Sequence, residues 1–147
     1  MPDPSLKERI RQDLNAARRE RDKLRTTVLT TLLSDIRNRE IEAGRDAADD
    51  DVLGVVGTAI KRRREAAEQM RGGGREELAA KEEQEAVFLQ AYLPPQLGED
   101  EVRALIRDAV AAGATDVGGV MKQVMPKAKG KFDGKELNRL VREALSG

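Results

Sequence analysis

Apolar residues recur every three or four positions along most of this chain, and this helical period constrains the fold more than any other feature. A first stripe consists of Leu6, Ile10, Leu14 and Ala17, and a second runs from Leu24 to Ile36. The strong helix formers Ala, Leu, Arg, Glu and Lys dominate, whereas aromatic residues make up 2% of the chain. The sequence therefore predicts an all-α protein.

Short local motifs predict where the first helices begin and end. Ser5 and Glu8 have the spacing of a capping box, so the first helix is expected to begin near Ser5. Arg21 and Asp22 mark the turn before the second helix, and Gly44 lies where a left-handed cap would end it.

Two further helices are predicted between residues 49 and 93. Asp49, Asp50 and Asp51 offer an N-cap and a negative first turn to the third helix, and the glycines at 72–74 end it. The inward positions of the fourth helix are predicted to be Leu78, Ala86, Leu89 and Leu93.

Pro94 and Pro95 divide the chain, because proline lacks a backbone N–H and disfavours helical geometry in the residue before it. We predict an antiparallel domain of about four helices at 1–93, a linker at 94–98, and a small three-helix domain at 99–147. The first short helix of that domain has an apolar stripe at Val102, Leu105, Ile106, Ala109 and Val110. Tyr92, beside the proline pair, is expected to pack the boundary rather than to meet a ligand.

The composition excludes most familiar catalytic sites. With no His and no Cys, the chain has no His-dependent triad, thiol nucleophile or Cys/His zinc site. The nucleotide motifs G-x-x-x-x-G-K-[ST] and G-x-G-x-x-G are also absent. We therefore expect no catalytic residue and no cofactor. We also expect no metal, since helix capping explains the Asp run at 49–51. No apolar stretch approaches the roughly 18 residues of a membrane span, so a cytoplasmic location without membrane contact is expected.

The stretch from Gly118 to Gly134, GGVMKQVMPKAKGKFDG, is the most distinctive one, and its charge is lopsided. Residues 121–147 have a balance of +4, whereas residues 99–116 have −3. A surface of this kind can bind the phosphates of a nucleic acid. The candidate RNA-binding residues are Lys122, Lys127, Lys129, Lys131, Lys135, Arg139 and Arg142. The alternative for Lys127, Lys129 and Lys131 is an ordinary solvated loop.

Other features of this region have structural explanations. Asp133 and Glu136 have cap spacing, with Phe132 and Leu137 as a hydrophobic staple, and the methionines Met121 and Met125 are expected in the core. A second basic run, at 61–64, is interpreted as a solvated helical face rather than a nucleic-acid patch. Because aromatic stacking platforms are scarce, a structured RNA fits better than a single strand.

Several motifs spread over the chain resemble the YqeY proteins of the GatB/YqeY family. They are S-L-K-E-R-I-R-Q-D-L near the start, R-D-K-L-R at 21–25, E-x-L-A-x-K-E-E at 76–83, Y-L-P-P-Q-L at 92–97 and M-P-K-A-K-G-K-F-D-G at 125–134. The resemblance implies two helical domains, the second similar to the tail domain of the B subunit of tRNA-dependent amidotransferases. In those enzymes the tail helps to hold tRNA. At Phe132 and Gly134 the chain departs from the tail pattern, which tends to have Ala and Pro there.

The resemblance makes tRNA the candidate partner, with no DNA binding expected, and the protein an accessory tRNA-binding module without autonomous catalysis. One alternative is a module that docks on a tRNA synthetase or another translation component, which the net charge of zero favours. Another is a carbon–nitrogen ligase activity, with glutamine as amido donor, that requires amidotransferase partner subunits to supply the active site.

Overall fold

Seven α-helices make up the regular structure in a computed structural model that describes residues 3–146. They are α1 (Leu6–Arg19), α2 (Lys23–Ala43), α3 (Asp49–Gly72), α4 (Glu76–Gln90), α5 (Glu99–Ala111), α6 (Val117–Ala128) and α7 (Gly134–Ser146). No strand occurs within residues 3–146, so the all-α prediction is confirmed. The chain forms two compact units, Met1–Leu93 and Pro94–Gly147, here called the N-terminal and C-terminal units.

The helix ends of the N-terminal unit follow the local motifs. The Ser5 hydroxyl accepts a hydrogen bond from the Glu8 N–H at 3.2 Å, at the start of α1. Arg21 adopts a left-handed conformation with φ 56°, and the Asp22 side chain then caps α2. Gly44, with φ 68°, ends α2 as expected, since glycine has no Cβ to clash in this conformation.

The prediction that the Asp run supplies the N-cap of α3 is wrong by one position. The N-cap is Ala48, so Asp49 is already the first helical residue. The Asp51 carboxylate accepts the Ala48 N–H at 3.0 Å and pairs with Arg45 at 2.7 Å. Asp49 instead accepts the Leu6 N–H at 2.9 Å, so it binds the first turn of α1. Long-range bonds of this kind are invisible in the local pattern.

The N-terminal core lies between α1, α2, α3 and the end of α4. Its largest fully buried side chains include Ile10, Leu29, Leu32, Ile36, Val56 and Leu89. Tyr92 packs within this unit, with its hydroxyl donating to Asp13 of α1 and its ring edge-on to Phe88 at 6.2 Å. Burial first, and then the bond to Asp13, raises the pKa of Tyr92.

One predicted inward position of α4 is wrong. Leu78 is 46% exposed, and the neighbouring Ala79 is fully buried. Because α4 packs mainly on α3, one edge of its apolar stripe remains open to solvent. The inward set also includes a charged residue, since Glu85 is 8% exposed and its pKa is raised, chiefly by burial and then by Glu82.

The C-terminal unit is a three-helix packing in which each of α5, α6 and α7 contacts the other two. Its buried core consists of Val102, Ile106, Ala109, Val120, Val124, Ala128, Leu137, Leu140 and Val141. Met121, Met125 and Phe132 are half-buried against this core. Val110 departs from its predicted inward position, because it is 40% exposed at the end of the α5 stripe.

Two glycines inside α3 provide a stability test. Gly54 and Gly57 lie within the helix, and a Cβ added at either position would meet nothing within 4 Å. We expect Gly54→Ala and Gly57→Ala each to stabilise the N-terminal unit by about 0.5–1 kcal/mol, since alanine has less backbone entropy to lose on folding. Thermal unfolding followed by circular dichroism would measure the change, and an unchanged or lower melting temperature would contradict it.

Candidate nucleic-acid interface

The seven cationic residues singled out in the sequence lie on α6, on α7 and in the turn between them. Lys122 and Lys127 are on α6, with Lys127 in its last turn, and Lys129 is the C-cap. Lys131 follows in the turn. Three more lie on α7, at Lys135, Arg139 and Arg142. All are exposed except Lys131, which is half-buried.

The three cations of α7 share the outward face of that helix. Their spacing of four and three residues places Lys135, Arg139 and Arg142 along one side. The opposite side carries the buried Leu137 and Val141. The helix therefore presents a basic stripe away from the core.

Carboxylates already engage Arg139. Its guanidinium pairs with Glu136, with Glu143 at 3.0 Å and with Glu99 at 3.5 Å. These partners, Glu136 first, raise the pKa of Arg139. The positive charge of Arg139 is thus locally compensated, which weakens its attraction for a phosphate. Arg142 differs, because its Nε donates to the neutral Asn138 side chain at 2.7 Å and the charge persists.

Apart from Arg142, four of the seven cations have no carboxylate oxygen within 4.0 Å in the described part of the chain. They are Lys122, Lys127, Lys131 and Lys135, here called the lysine surface. Their ammonium groups carry uncompensated charge that an incoming anion can neutralise.

A segment distant in sequence fixes the turn that carries Lys131. The Leu97 N–H donates to the Lys131 carbonyl at 2.8 Å. The Gln96 side-chain amide donates to the carbonyls of Gly130, at 2.9 Å, and Pro94, at 2.8 Å. Gly130 itself is left-handed, with φ 75°.

The role of Gln96 is not evident from the sequence. Gln96 and Gly130 are 34 positions apart, so no local pattern pairs them. The one available signal was that each belongs to a distinctive motif, Y-L-P-P-Q-L and K-A-K-G-K. The pairing gives the turn between α6 and α7 a fixed backbone.

The helix cap predicted at Asp133 is confirmed. The Asp133 carboxylate accepts the Glu136 N–H at 3.2 Å, and α7 begins at the next residue after Asp133. Phe132 is half-buried against the same core that contains Leu137. These groups stabilise the start of α7.

The basic run of α3 is more deeply involved in packing than its sequence suggested. Arg63 donates to the Ala59 carbonyl at 3.1 Å, and its Nε lies 4.0 Å from the buried Glu85. Arg64 donates to the Gln90 side chain at 2.7 Å. Half of this run therefore joins α3 to α4, and the run does not present four free cations on one face.

Other kinds of site find little support in the described residues. Among residues 3–146, no group of three or more carboxylates could hold a metal ion. In the same range, no helix has the length and apolar character needed to cross a membrane.

Within residues 3–146 the chain is all-helical, and a lysine-bearing turn between its last two helices is held by Gln96 and Leu97. A family model described as Yqey-like protein matches residues 7–145, so the chain belongs to the YqeY family. A comparison with curated proteins returned no significant match.

Proposed function

We propose that this YqeY-family protein is an accessory module that binds tRNA through the lysine surface. The observation that carries the proposal is the uncompensated charge of Lys122, Lys127, Lys131 and Lys135 on α6, on α7 and in the fixed turn between them. A polyanion with regularly spaced phosphates can neutralise several of these groups at once.

The kind of nucleic acid follows from what the surface lacks. Base stacking needs aromatic side chains, and Phe132, the aromatic residue of this turn, is half-buried in the core. Recognition by phosphate position and shape remains, which is how structured RNA is bound. The resemblance of residues 120–145 to an amidotransferase tail domain favours tRNA within this class.

The proposal assigns no catalytic step to this chain alone. Amide transfer from glutamine would require the active site of partner subunits, because the chain has neither Cys nor His to activate a nucleophile. The module would then contribute affinity for tRNA to an enzyme that performs the chemistry.

The direct test is the binding of unfractionated tRNA to the full chain at two salt concentrations. If the lysine surface contacts about four phosphates, its share of the slope of log K against log salt should be roughly −3 to −4. Duplex DNA of equal charge is the control, and tRNA should bind more tightly if shape contributes. An absence of binding at low salt would overturn the proposal and favour docking on a protein partner.

Gln96 permits a test that changes no charge. Because its amide holds the Gly130 carbonyl, Gln96→Ala should loosen the turn and weaken tRNA binding by about 3- to 10-fold, through lost preorganisation. The salt slope should stay the same, since every lysine remains. Gln123→Ala, which removes an exposed glutamine of α6, is the matched control and should change nothing. Equal affinities of the two variants would contradict the role of Gln96.

A further inference from the structure

We propose that the turn between α1 and α2 is a second contact for the phosphate backbone of the bound nucleic acid. This basic turn consists of Arg18, Arg19, Arg21 and Lys23 in the N-terminal unit. The inference rests on the proposed function, since it extends nucleic-acid binding to a surface of the other unit.

The charge of this turn is uncompensated although two acids lie within it. Glu20 pairs with Arg25 at 2.7 Å, and Asp22 caps α2 with one oxygen while the other lies 4.0 Å from Arg25. Both acids are thus engaged by Arg25. All four members of the basic turn are exposed and have no carboxylate oxygen within 4.0 Å among residues 3–146.

Helix stability explains only part of this arrangement. Arg18 and Arg19 lie in the last turn of α1, where cations offset the helix dipole. Lys23 is the first residue of α2, where the dipole disfavours a cation. Arg21 has φ 56°, the one non-glycine with positive φ in the described chain, so an arginine stands where glycine would be less strained.

The side chains of this turn fit phosphates better than a peptide. Three of the four are arginines, whose planar guanidinium can bind two phosphate oxygens at once. Arginine also occurs at the centres of protein interfaces, but there it packs among buried apolar or aromatic side chains. Residues 18–23 contain no apolar side chain, so they offer no such anchor.

The test compares full-length variants for binding of labelled unfractionated tRNA and of duplex DNA across a salt series. The variant Arg18→Gln, Arg19→Gln, Arg21→Gly, Lys23→Gln removes the charge, and glycine at 21 also relieves the left-handed strain. We expect roughly tenfold weaker tRNA binding. The fall of log K with log salt should become shallower by about 2 to 3. The DNA arm shows whether the turn responds to any phosphate backbone or to folded RNA.

The control removes four exposed cations elsewhere, in the variant Arg62→Gln, Arg75→Gln, Lys81→Gln, Arg107→Gln. This control has the same net charge as the turn variant. Equal losses of tRNA affinity in the two variants would therefore overturn a specific contact at the turn. Wild-type affinity of the turn variant, with binding lost on neutralising the lysine surface, overturns this inference and leaves the proposed function standing. A polyglutamate peptide serves as a second probe. If the turn variant loses binding of this peptide but keeps its tRNA affinity, the turn contacts acidic protein segments and the inference is overturned. If the unaltered protein binds no tRNA, both proposals fail.

Discussion

Neutralising the lysine surface, by changing Lys122, Lys127, Lys131 and Lys135 to glutamine, should weaken tRNA binding on the order of a hundredfold or more at low salt. Each lysine that neutralises a phosphate releases counterions, and four such contacts together account for this loss. None of the four has a carboxylate partner within residues 3–146, so their loss breaks no ion pair there. Fluorescence anisotropy with labelled tRNA would measure the affinity, and the plot of log K against log salt should become shallower by about 3 to 4.

The stability of this variant separates lost binding from lost folding. All four side chains lie outside the buried core of the C-terminal unit, so the helical circular-dichroism spectrum and melting temperature should stay close to those of the parent. The four-cation control at 62, 75, 81 and 107 should retain its affinity. Wild-type binding by a folded lysine-surface variant would remove this surface from the proposed function.

Replacing Glu40 with alanine should cause a large loss of stability in the N-terminal unit, with a melting temperature lower by on the order of 10 °C. The Glu40 side chain is 4% exposed and accepts from the Lys7 ammonium at 2.6 Å and from the Ala47 N–H at 2.8 Å. These bonds join α1, α2 and the loop before α3. Alanine would leave the Lys7 ammonium and the Ala47 N–H without the acceptor they share, and the Lys7 side chain is only 18% exposed to water.

Matched variants make the Glu40 prediction specific. Glu40→Gln retains two acceptor lone pairs, so its loss should be smaller than that of Glu40→Ala. Glu42→Ala removes an exposed carboxylate two residues away and should change the melting temperature little. A Glu40→Ala protein as stable as the Glu42→Ala control would contradict the role of this buried carboxylate.

The same residue predicts a pH dependence. The bond from Lys7, followed by that from Ala47, lowers the pKa of Glu40 below its ordinary value of 4.5. A carboxylate with a lowered folded pKa contributes its full stability above the unfolded value and loses it as the pH falls through the folded one. Acidification from pH 5 towards pH 3 should therefore destabilise the parent more than Glu40→Gln. Thermal melts of both proteins across this range would show the difference, and parallel curves would contradict it.

Local interactions made much of the helical framework predictable. The Ser5 and Asp133 caps act on N–H groups three residues away, and Gly44 ends α2 through its own φ angle. The same reasoning failed at Leu78, because its exposure depends on what packs against α4. It also placed the cap of α3 one residue late, since Asp49 bonds to a residue 43 positions earlier.

The candidate site divides in the same way. The sequence by itself determined that the chain is helical, that it has no His or Cys chemistry, and that cations gather at 122–142. Only the tertiary structure decided that Arg139 is neutralised by Glu99, 40 positions away, and that Gln96 holds the turn of Lys131. Helix formation and capping depend on neighbours within about four residues, whereas the free charge of a side chain depends on every group that folding brings near it.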